Sequence, residues 1–361
     1  MIQEEKKMKK KLFAVLAMLL AMSLMLCACG GSSTDSSDKT ADTAPTTDTS
    51  TDTSASKDDS QSSASAGSMT MGTGGTTGTY YAFGNVLSSF MNEASGVSIN
   101  VVSTDGSAAN IYGIDDGLYQ LATVQSDVMA YAWEGSKSFE SDGQIDTFRV
   151  IGGLYEEAVQ IVTMDASIKT VADLKGKTVS IGAPNSGVFF NAVDVLEAYD
   201  LSYETDIKAE YLSFGESTDA MKDGKIDAAF IVAGAPTAAI TELCTTNNAY
   251  LVPIDGAVAD KLMADCPFYT AYSIPAGTYN GQDADVTTVT VKATLIVSAS
   301  ASEKDVYELT KAIFDNVDAI AAENGKGKEL SIENATSGMS APFHAGAAKY
   351  YAEKGVTVET K

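Results

Sequence analysis

The chain has 361 residues, of which 45% are apolar and 20% charged, a composition typical of a folded protein with room for two domains. Its 48 acidic residues outnumber 24 basic ones, which gives a net charge of −24 at pH 7. A surface this acidic repels nucleic-acid phosphates and anionic membranes, so neither is an expected partner. Arg149 is the only arginine, so a bound carboxylate has only one guanidinium to pair with.

Residues 1–28 have the pattern of a bacterial lipoprotein signal peptide. Five lysines among residues 6–11 precede an uncharged apolar stretch, Leu12–Leu26, which is short for a membrane span. The stretch ends in "LCAC", Leu26–Cys29, which resembles a lipobox. This resemblance implies cleavage before Cys29, diacylglycerol on its sulfur and anchoring at the outer face of the cell membrane. The alternative is a plain signal peptide with incidental cysteines.

Residues 29–68 predict a flexible tether. Apart from Cys29 this segment consists almost entirely of Ser, Thr, Asp, Ala, Gly and Lys, without an aromatic residue, Leu, Ile or Val. Such a sequence buries too little apolar surface to offset the entropy lost on folding. The folded module is therefore expected to begin at Met69.

From Met69 onward, strand-like and helix-like segments alternate, which predicts an α/β fold with parallel strands covered by helices on both faces. The predicted strands are Ser98–Ser103, Leu121–Gln125, Arg149–Leu154, Val159–Met164, Thr178–Ala183, Ala228–Ala233, Ala249–Ile254 and Thr288–Ser298. The predicted helices are Tyr80–Ala94, Ser107–Gly117, Gly187–Tyr199, Ser217–Lys222, Pro236–Cys244 and Glu303–Asn324.

Two apolar strands lie on either side of residues 165–287 and predict that one domain is inserted into another. We expect lobe I to comprise residues 69–164 and 288–361, and lobe II to comprise residues 165–287. The two strands would cross between the lobes, and a small ligand would bind in the cleft at the carboxyl ends of strands.

The glycine-rich segment "GTGGTTGTYYAFG", Gly72–Gly84, enters the first predicted helix and resembles an anion-binding loop. A Walker loop is excluded because no lysine follows the glycines before Lys137. The dinucleotide fingerprint is also excluded, since Thr77 occupies its third glycine position and no acidic residue stands at the expected ribose position. A helix start with free amides and hydroxyls remains, and it attracts a carboxylate without a basic residue. For this segment alone, a threonine that only caps its own helix is an equally good interpretation.

The same pattern of strand, small polar turn and helix occurs twice more, at Ser103–Ile114 and Gly182–Leu196. Three such turns in a protein with one arginine indicate a pocket that holds its ligand with main-chain amides and hydroxyls. Asp127 follows another strand and is interpreted as a helix cap.

Seven segments together resemble the TAXI family, the extracytoplasmic solute receptors of tripartite ATP-independent periplasmic (TRAP) transporters. They are "TGGTTGTYYAFG", "STDGSAAN", "ATVQSDVMAYAWEG", "LYEEAVQIV", "VADLKGKTVSIGAPNSG", "DGKIDAAFIVAGAPTAAI" and "HAGAAKYYAEKG". The resemblance covers essentially all of residues 69–361. It implies a two-lobed, type II periplasmic-binding-protein fold and delivery of a small organic anion or amino acid, glutamate-like or a 2-oxoacid or dicarboxylate, to a membrane permease.

By matching motif, the resemblance also implies a set of ligand-binding residues. These are Gly75, Thr76, Thr77, Gly78, Tyr80, Ser103, Ser107, Asn110, Gln125, Ser186, Gly187 and Pro236. The sequence departs from the family pattern at Ala82, Asn185 and Val188, which leaves ligand preference open.

Catalytic residues, a metal site and a cofactor are not expected, and neither is a stable oligomer. Arg149 is interpreted as an ion-pair partner at a lobe boundary, and His344, the single histidine, as a packing or helix-start residue. Cys244 and Cys266 either form a disulfide or remain thiols. Two alternative functions stay open, a sensory lipoprotein that presents a metabolite to a signalling protein and a hydrolase, although no acid–base pair or nucleophile motif supports the latter.

Overall fold

The computed structural model describes residues 67–361. The predicted signal peptide, the predicted lipidation site at Cys29 and the predicted tether up to residue 66 lie outside the described residues. The first strand begins at Ser68, one residue before the predicted start of the folded module.

Strands and helices alternate through most of the described chain. The strands are β1 Ser68–Gly72, β2 Ser98–Val102, β3 Leu121–Gln125, β4 Phe148–Thr163, β5 Thr178–Ser180, β6 Lys208–Glu210, β7 Ala228–Ala233, β8 Tyr250–Val252, β9 Thr270–Ile274 and β10 Val286–Ser298. The helices are α1 Thr79–Ser95, α2 Ser107–Asp115, α3 Ser126–Glu134, α4 Gly187–Ala198, α5 Phe214–Lys222, α6 Ala238–Thr246, α7 Gly256–Asp265, α8 Glu303–Phe314, α9 Val317–Glu323, α10 Ile332–Thr336 and α11 Ala345–Glu353. Three short 3-10 helices occupy Lys137–Phe139, Val171–Leu174 and Gly325–Glu329.

The strands form one mixed sheet in the order β2-β1-β3-β10-β4-β7-β5-β6, with β8 paired to β4 and β9 paired to β10. At each end of the sheet the pairs are parallel, namely β1 with β2 and β3, and β5 with β6 and β7. The long strands β4 and β10 run antiparallel to each other and to their outer neighbours β3 and β7. The sheet is therefore mixed, and the prediction of purely parallel sheets was wrong for its centre.

The strands β4 and β10 pass from one hydrophobic core to another. Side chains up to Tyr155 on β4, and from Ala293 on β10, belong to a core that also holds β1, β2, β3 and the helices after residue 302. Side chains from Ala158 on β4, and up to Val291 on β10, belong to two cores built from the intervening residues. We call these two parts lobe I and lobe II. The predicted fold class, α/β with two lobes and crossing strands, is confirmed.

Two register irregularities lie on β10 where the strands cross, between Lys292 and Thr294 and between Leu295 and Ile296. A bulge bends its strand and increases the local twist. These bulges fall next to the change of core, so the sheet bends where one lobe gives way to the other.

Helix α1 shows how the sequence determines its own packing. Tyr80, Phe83, Leu87 and Met91 recur at spacings of three and four residues and are all buried against lobe I. The helix ends at Gly96, whose φ of 69° is a left-handed conformation that glycine adopts without strain. Because this face packs against lobe I, the helix start at Thr79 is held in place relative to lobe I.

Two predicted elements differ in extent from those observed. The separate strands at 149–154 and 159–164 are one continuous strand, β4, because Tyr155–Ala158 stay extended and paired with β10. The long helix predicted at 303–324 is broken into α8 and α9 at Asp315–Asn316. Within residues 67–361, no helix combines the length and apolar character needed to cross a membrane.

His344 and Arg149 have structural roles. His344 caps α11 through Nδ1, which accepts a hydrogen bond from the Gly346 amide at 3.1 Å, as predicted for a helix-start residue. Arg149 donates to the carbonyls of Asp146 and Phe148 and lies 5.4 Å from the centre of the Trp133 ring. Its interpretation as an ion-pair partner was wrong, because carbonyls and an aromatic face satisfy the guanidinium.

Cys244 and Cys266 are separate thiols.

Candidate functional site

A cavity of about 70 Å³ lies between the lobes, where several helices begin. From lobe I it is lined by the segment that joins β1 to α1, by the start of α2 and by Gln125 at the end of β3. From lobe II it is lined by Ala183 and Ser186, which precede α4, and by Gly187 and Val188, which begin it. The start of α5 and the end of β7 complete this side of the wall. Glu157 reaches it from β4.

The starts of α1 and α2 carry no side-chain cap. Their N-cap residues are Gly78 and Gly106, neither of which has a side chain that accepts a hydrogen bond from the first helical turn. Free amides give a helix start a partial positive charge, which favours an anion. The third helix at the cavity, α4, is capped by Ser186 over a long contact of 3.4 Å to the Phe189 amide.

Main-chain hydrogen bonds join the lobes next to the cavity. The Asn185 carbonyl of lobe II accepts from the amides of Ala108 and Ala109 in α2, each at 3.1 Å. In the opposite direction, the Thr77 carbonyl of lobe I accepts from the Ala239 amide in α6 at 3.3 Å. Each lobe therefore satisfies amides at a helix start of the other.

Glu157 is the most buried acid of the cavity wall, with 2% of its surface exposed. Its Oε2 accepts a hydrogen bond from the Tyr80 hydroxyl at 2.5 Å. Burial raises the pKa of Glu157 well above its ordinary value, although the Tyr80 hydrogen bond and the Lys326 charge act in the opposite direction. Burial therefore favours the protonated form of the carboxyl.

Gln125 faces the cavity and leads into a buried polar chain between the lobes. Its Nε2 donates to Asn191 Oδ1 at 2.9 Å, and Asn191 Nδ2 donates to Asp127 Oδ2 at 2.9 Å and to the Tyr269 hydroxyl at 2.8 Å. Gln125 Oε1 is buried and has no hydrogen-bond partner among the described residues. Such an acceptor costs free energy until a donor reaches it.

The chain continues to the surface through Asp194. Its Oδ2 accepts from the Tyr269 hydroxyl at 3.1 Å, and its Oδ1 pairs with Lys137 Nζ at 3.1 Å. Asp127 and Lys137 come from lobe I, whereas Asn191, Asp194 and Tyr269 come from lobe II. The chain is thus a second polar connection between the lobes.

The family comparison covers the whole cavity. Residues 71–355 match the model of the NMT1-like family, which is well over half of the chain.

The chain belongs to the NMT1-like family.

Solved structures give weaker similarities to this NMT1-like protein. An alkanesulfonate-binding protein from Xanthomonas axonopodis pv. citri, bound to MOPS, is 15% identical over 81% of this chain and 95% of its own, with a TM-score of 0.46. A protein from Bordetella bronchiseptica RB50 is 16% identical over 79% of this chain and 88% of its own, with a TM-score of 0.49. An arginine-specific periplasmic binding protein from Salmonella typhimurium is 12% identical over 73% of this chain and 99% of its own, with a TM-score of 0.45.

The NMT1-like cavity brings together seven of the twelve residues that the sequence suggested as ligand-binding. They come from three turns and from the end of β3, which are far apart in the chain but meet at this point. The seven are Gly75, Gly78, Tyr80, Ser107, Gln125, Ser186 and Gly187.

The other five do not line the cavity. Thr76 and Ser103 are exposed, and Pro236 is exposed in a neighbouring groove that shares Gly78 and Thr79 with the cavity. Thr77 contributes its carbonyl to the contact between the lobes. Asn110 is fully buried and donates to the carbonyls of Thr73 and Thr123, so it fixes the β1 and β3 ends.

Several lining residues were not predicted, and Glu157 is the most consequential. The signal for it was present, because "YEEAV" places two acids inside an otherwise apolar strand. The apolar part of the wall, Leu212, Phe214, Val232 and Ala233, gave no such signal. Asp127 lies in the first turn of α3, where hydrogen bonds from the amides of Val128 and of Asp127 itself act to lower the pKa of its carboxyl, and this carboxylate also accepts from Asn191.

Asp127 makes the stability of this NMT1-like protein depend on pH. Burial raises its pKa from 3.8 to about 7, and the Asp194 charge adds to the increase. At pH values between 3.8 and about 7, Asp127 holds a proton in the folded protein that it has lost in the unfolded chain. The contribution of Asp127 to stability therefore falls as the pH rises to about 7, and it stays constant at higher pH. The titratable groups that interact with Asp127 are Asp194, Tyr269, Tyr131, Cys266 and Glu157.

We expect Asp127→Asn to flatten the pH dependence of stability, because asparagine cannot ionise. The wild-type protein should lose more unfolding free energy than the variant between pH 5 and pH 8, by about 1–3 kcal/mol in urea unfolding. Asp165→Asn is the control, since Asp165 is only half-buried and its pKa is lowered to about 2, below this window. Equal pH profiles for wild type and Asp127→Asn would contradict the assignment.

Proposed function

We propose that this protein is the lipid-anchored extracytoplasmic solute receptor of a TRAP-type transporter of the TAXI kind. It binds a small organic anion or amino acid between its lobes and delivers the solute to the membrane permease. The resemblance of its motifs to TAXI receptors supports the transporter class, and membership of the NMT1-like family is consistent with a binding role.

The observation that carries the proposal is the meeting of helix starts at a cavity between two lobes. The α1 start has no side-chain cap and contributes Gly78, Thr79 and Tyr80 to the wall. Amides at such a position hold a carboxylate without a basic side chain. The described lining contains no lysine, arginine or histidine, so these amides are the donors that the wall offers to an anion.

We further propose that the lobes open and close about β4 and β10. The proposed lobe limits are 69–164 with 288–361 for lobe I and 165–287 for lobe II. The change of core at residues 155–158 and 291–293 supports a division close to these limits. Hinge bending of two crossing strands is a common way for a binding protein to enclose its ligand.

Gly187 provides a test of solute binding. A Cβ atom there would lie 1.5 Å from Gln125 Oε1 and 3.1 Å from Ser107 Oγ, so Gly187→Ala displaces the Gln125 side chain from its position between the lobes. In a thermal-shift and calorimetric screen of amino acids, 2-oxoacids and dicarboxylates, we expect a ligand that stabilises the wild type and binds the variant at least about tenfold more weakly.

Gly215→Ala is the matched control, because its Cβ would meet only Thr77 atoms at 3.7 Å and 3.8 Å. It should bind like the wild type. Equal affinity of Gly187→Ala and wild type would remove this cavity as the binding site, and a screen without any ligand would count against a solute receptor.

The proposed membrane anchor depends on Cys29. We expect Cys29→Ala to release the protein from membranes into the soluble fraction, because the lipid that holds the mature protein is attached through the cysteine sulfur. Cys27→Ala is the control and should stay membrane-bound. Retention of Cys29→Ala in washed membranes would contradict the lipid anchor.

The proposed permease is driven by an ion gradient, which separates it from ATP-driven import and from sensing. In membrane vesicles from cells that make the protein, we expect receptor-dependent uptake of the ligand to stop when ionophores collapse the gradient. Uptake should continue when ATP is removed and the gradient is kept. Uptake with the opposite dependence would indicate an ATP-driven partner, and a receptor without effect on uptake would favour the sensory alternative.

A further inference from the structure

We propose that Glu157 recognises a protonated amine, so that the cavity prefers an α-amino acid to the 2-oxoacid or dicarboxylate of the same carbon skeleton. The inference rests on the proposed function, because it names the class of solute bound at the same cavity. It narrows the expected range of ligands, which included dicarboxylates and 2-oxoacids.

The charges around the cavity are arranged for a zwitterion. Its lining includes the acids Asp105 and Glu157 and, among the described residues, no cationic side chain. Helix starts supply donors for one carboxylate, and the α2 amides of Ala108 and Ala109 are already occupied by the Asn185 carbonyl. A second carboxylate on the solute would meet Glu157 or the apolar wall without a matching charge.

The position of Glu157 suits an ammonium group. The side chain is 98% buried, and Tyr80 is the only hydrogen-bond donor to its carboxyl among the described residues. An ammonium group donates three hydrogen bonds, and its positive charge offsets the cost of burying a carboxylate. A keto oxygen at the same place accepts one hydrogen bond from the protonated carboxyl, but it brings no charge to pair with a carboxylate.

Lys326 is the nearest alternative partner for Glu157, and it is already engaged. Its Nζ pairs with Glu329 Oε1 at 2.7 Å and lies 5.7 Å from the centre of the Tyr155 ring. Lys326 does not line the cavity. Its charge acts on Glu157 from a distance, and burial outweighs it.

Gln125 provides a second, independent observation. Asn191 uses its amide nitrogen for both Asp127 and Tyr269, so its oxygen must face Gln125 Nε2. This arrangement turns Gln125 Oε1 toward Gly187 at the cavity wall, where it is buried without a donor. Gln125 Oε1 therefore lacks a donor, and Glu157 accepts only from Tyr80 among the described residues.

Binding of an amine should change the protonation of Glu157. Burial favours the protonated carboxyl in the empty cavity, and pairing with an ammonium group favours the carboxylate. The pKa of Glu157 should therefore fall when an amine binds, and its proton passes to the solvent while the solute keeps its own. An amino acid should release protons on binding at pH values between the pKa values of the empty and the occupied cavity, whereas its 2-oxoacid should release none.

Matched ligand pairs test the proposal directly. The pairs are alanine and pyruvate, leucine and 4-methyl-2-oxopentanoate, and glutamate and 2-oxoglutarate, with glutarate as a dicarboxylate without either group. We expect isothermal titration calorimetry to show that the amino acid of at least one pair binds about tenfold more tightly than its partner. Titrations in buffers of different ionisation enthalpy measure the released proton.

Glu157→Gln and Glu156→Gln form a matched set of variants. Glu156 is the preceding residue on β4, lies outside the cavity and accepts from Thr290 at 2.8 Å. We expect Glu157→Gln to reduce the preference for the amino acid to less than about threefold and to abolish proton release. Glu156→Gln should keep the preference for the amino acid and the proton release. If Glu157→Gln does not fold, the comparison of ligand pairs on the wild-type protein tests the proposal by itself.

The outcomes separate this inference from the function on which it rests. Tighter binding of a 2-oxoacid or of glutarate to the wild type, or an unchanged preference in Glu157→Gln, would overturn the amine proposal while the receptor function stands. Failure of every compound to bind would instead overturn the proposed function, and the inference with it.

Discussion

Amides at the starts of helices need acceptors, and this requirement connects the two lobes. The first turn of a helix leaves amide groups without intrahelical partners, and water or another acceptor must take them. Here Asn185 and Thr77 place their carbonyls on α2 and α6 of the opposite lobe. The cavity lies between these two contacts, next to the α1 start, which has no side-chain cap.

The acidic composition of the protein gives this arrangement its particular chemistry. With one arginine in the chain, and with that arginine bound to carbonyls and to Trp133, a guanidinium clamp on the solute is ruled out. The buried acids Glu157 and Asp127 instead lie in or beside the contact between lobes, and burial raises the pKa of each. Selectivity then follows from which donors and charges a solute brings to these groups.

The sequence predicted the parts of the fold whose signal is local. Strands β3 and β7 were predicted with the observed limits, because each is a short apolar run between polar turns. The short strands β6 and β9 were missed, since "KAE" and "TAYSI" are mostly exposed and lack an apolar pattern. Strand β4 was divided because its glycines and acids resemble a turn, whereas pairing with β10 keeps it extended.

For the cavity, motifs predicted the turns but not the direction of each side chain. Ser107 and Thr76 lie in similar turns, yet one is buried at the cavity and the other points to solvent. Asn110 was selected for its amide, which tertiary packing directs to two buried carbonyls. The network of Gln125, Asn191 and Asp127 joins residues more than 60 positions apart, and no local pattern contains it.

These contacts also explain how a solute would select the closed form. The main-chain bonds between lobes form with any solute or with none, so they cannot distinguish one ligand from another. Gln125 Oε1 differs, because it is buried without a donor among the described residues, which raises the free energy of the empty closed form. Glu157 differs as well, because burial of its carboxyl without a positive partner in the cavity wall disfavours the charged form. A solute that supplies the donors removes that cost only when the lobes are together. The solute therefore binds the closed form more tightly than the open form, by the free energy that these new hydrogen bonds remove. This difference in affinity shifts the population toward the closed form.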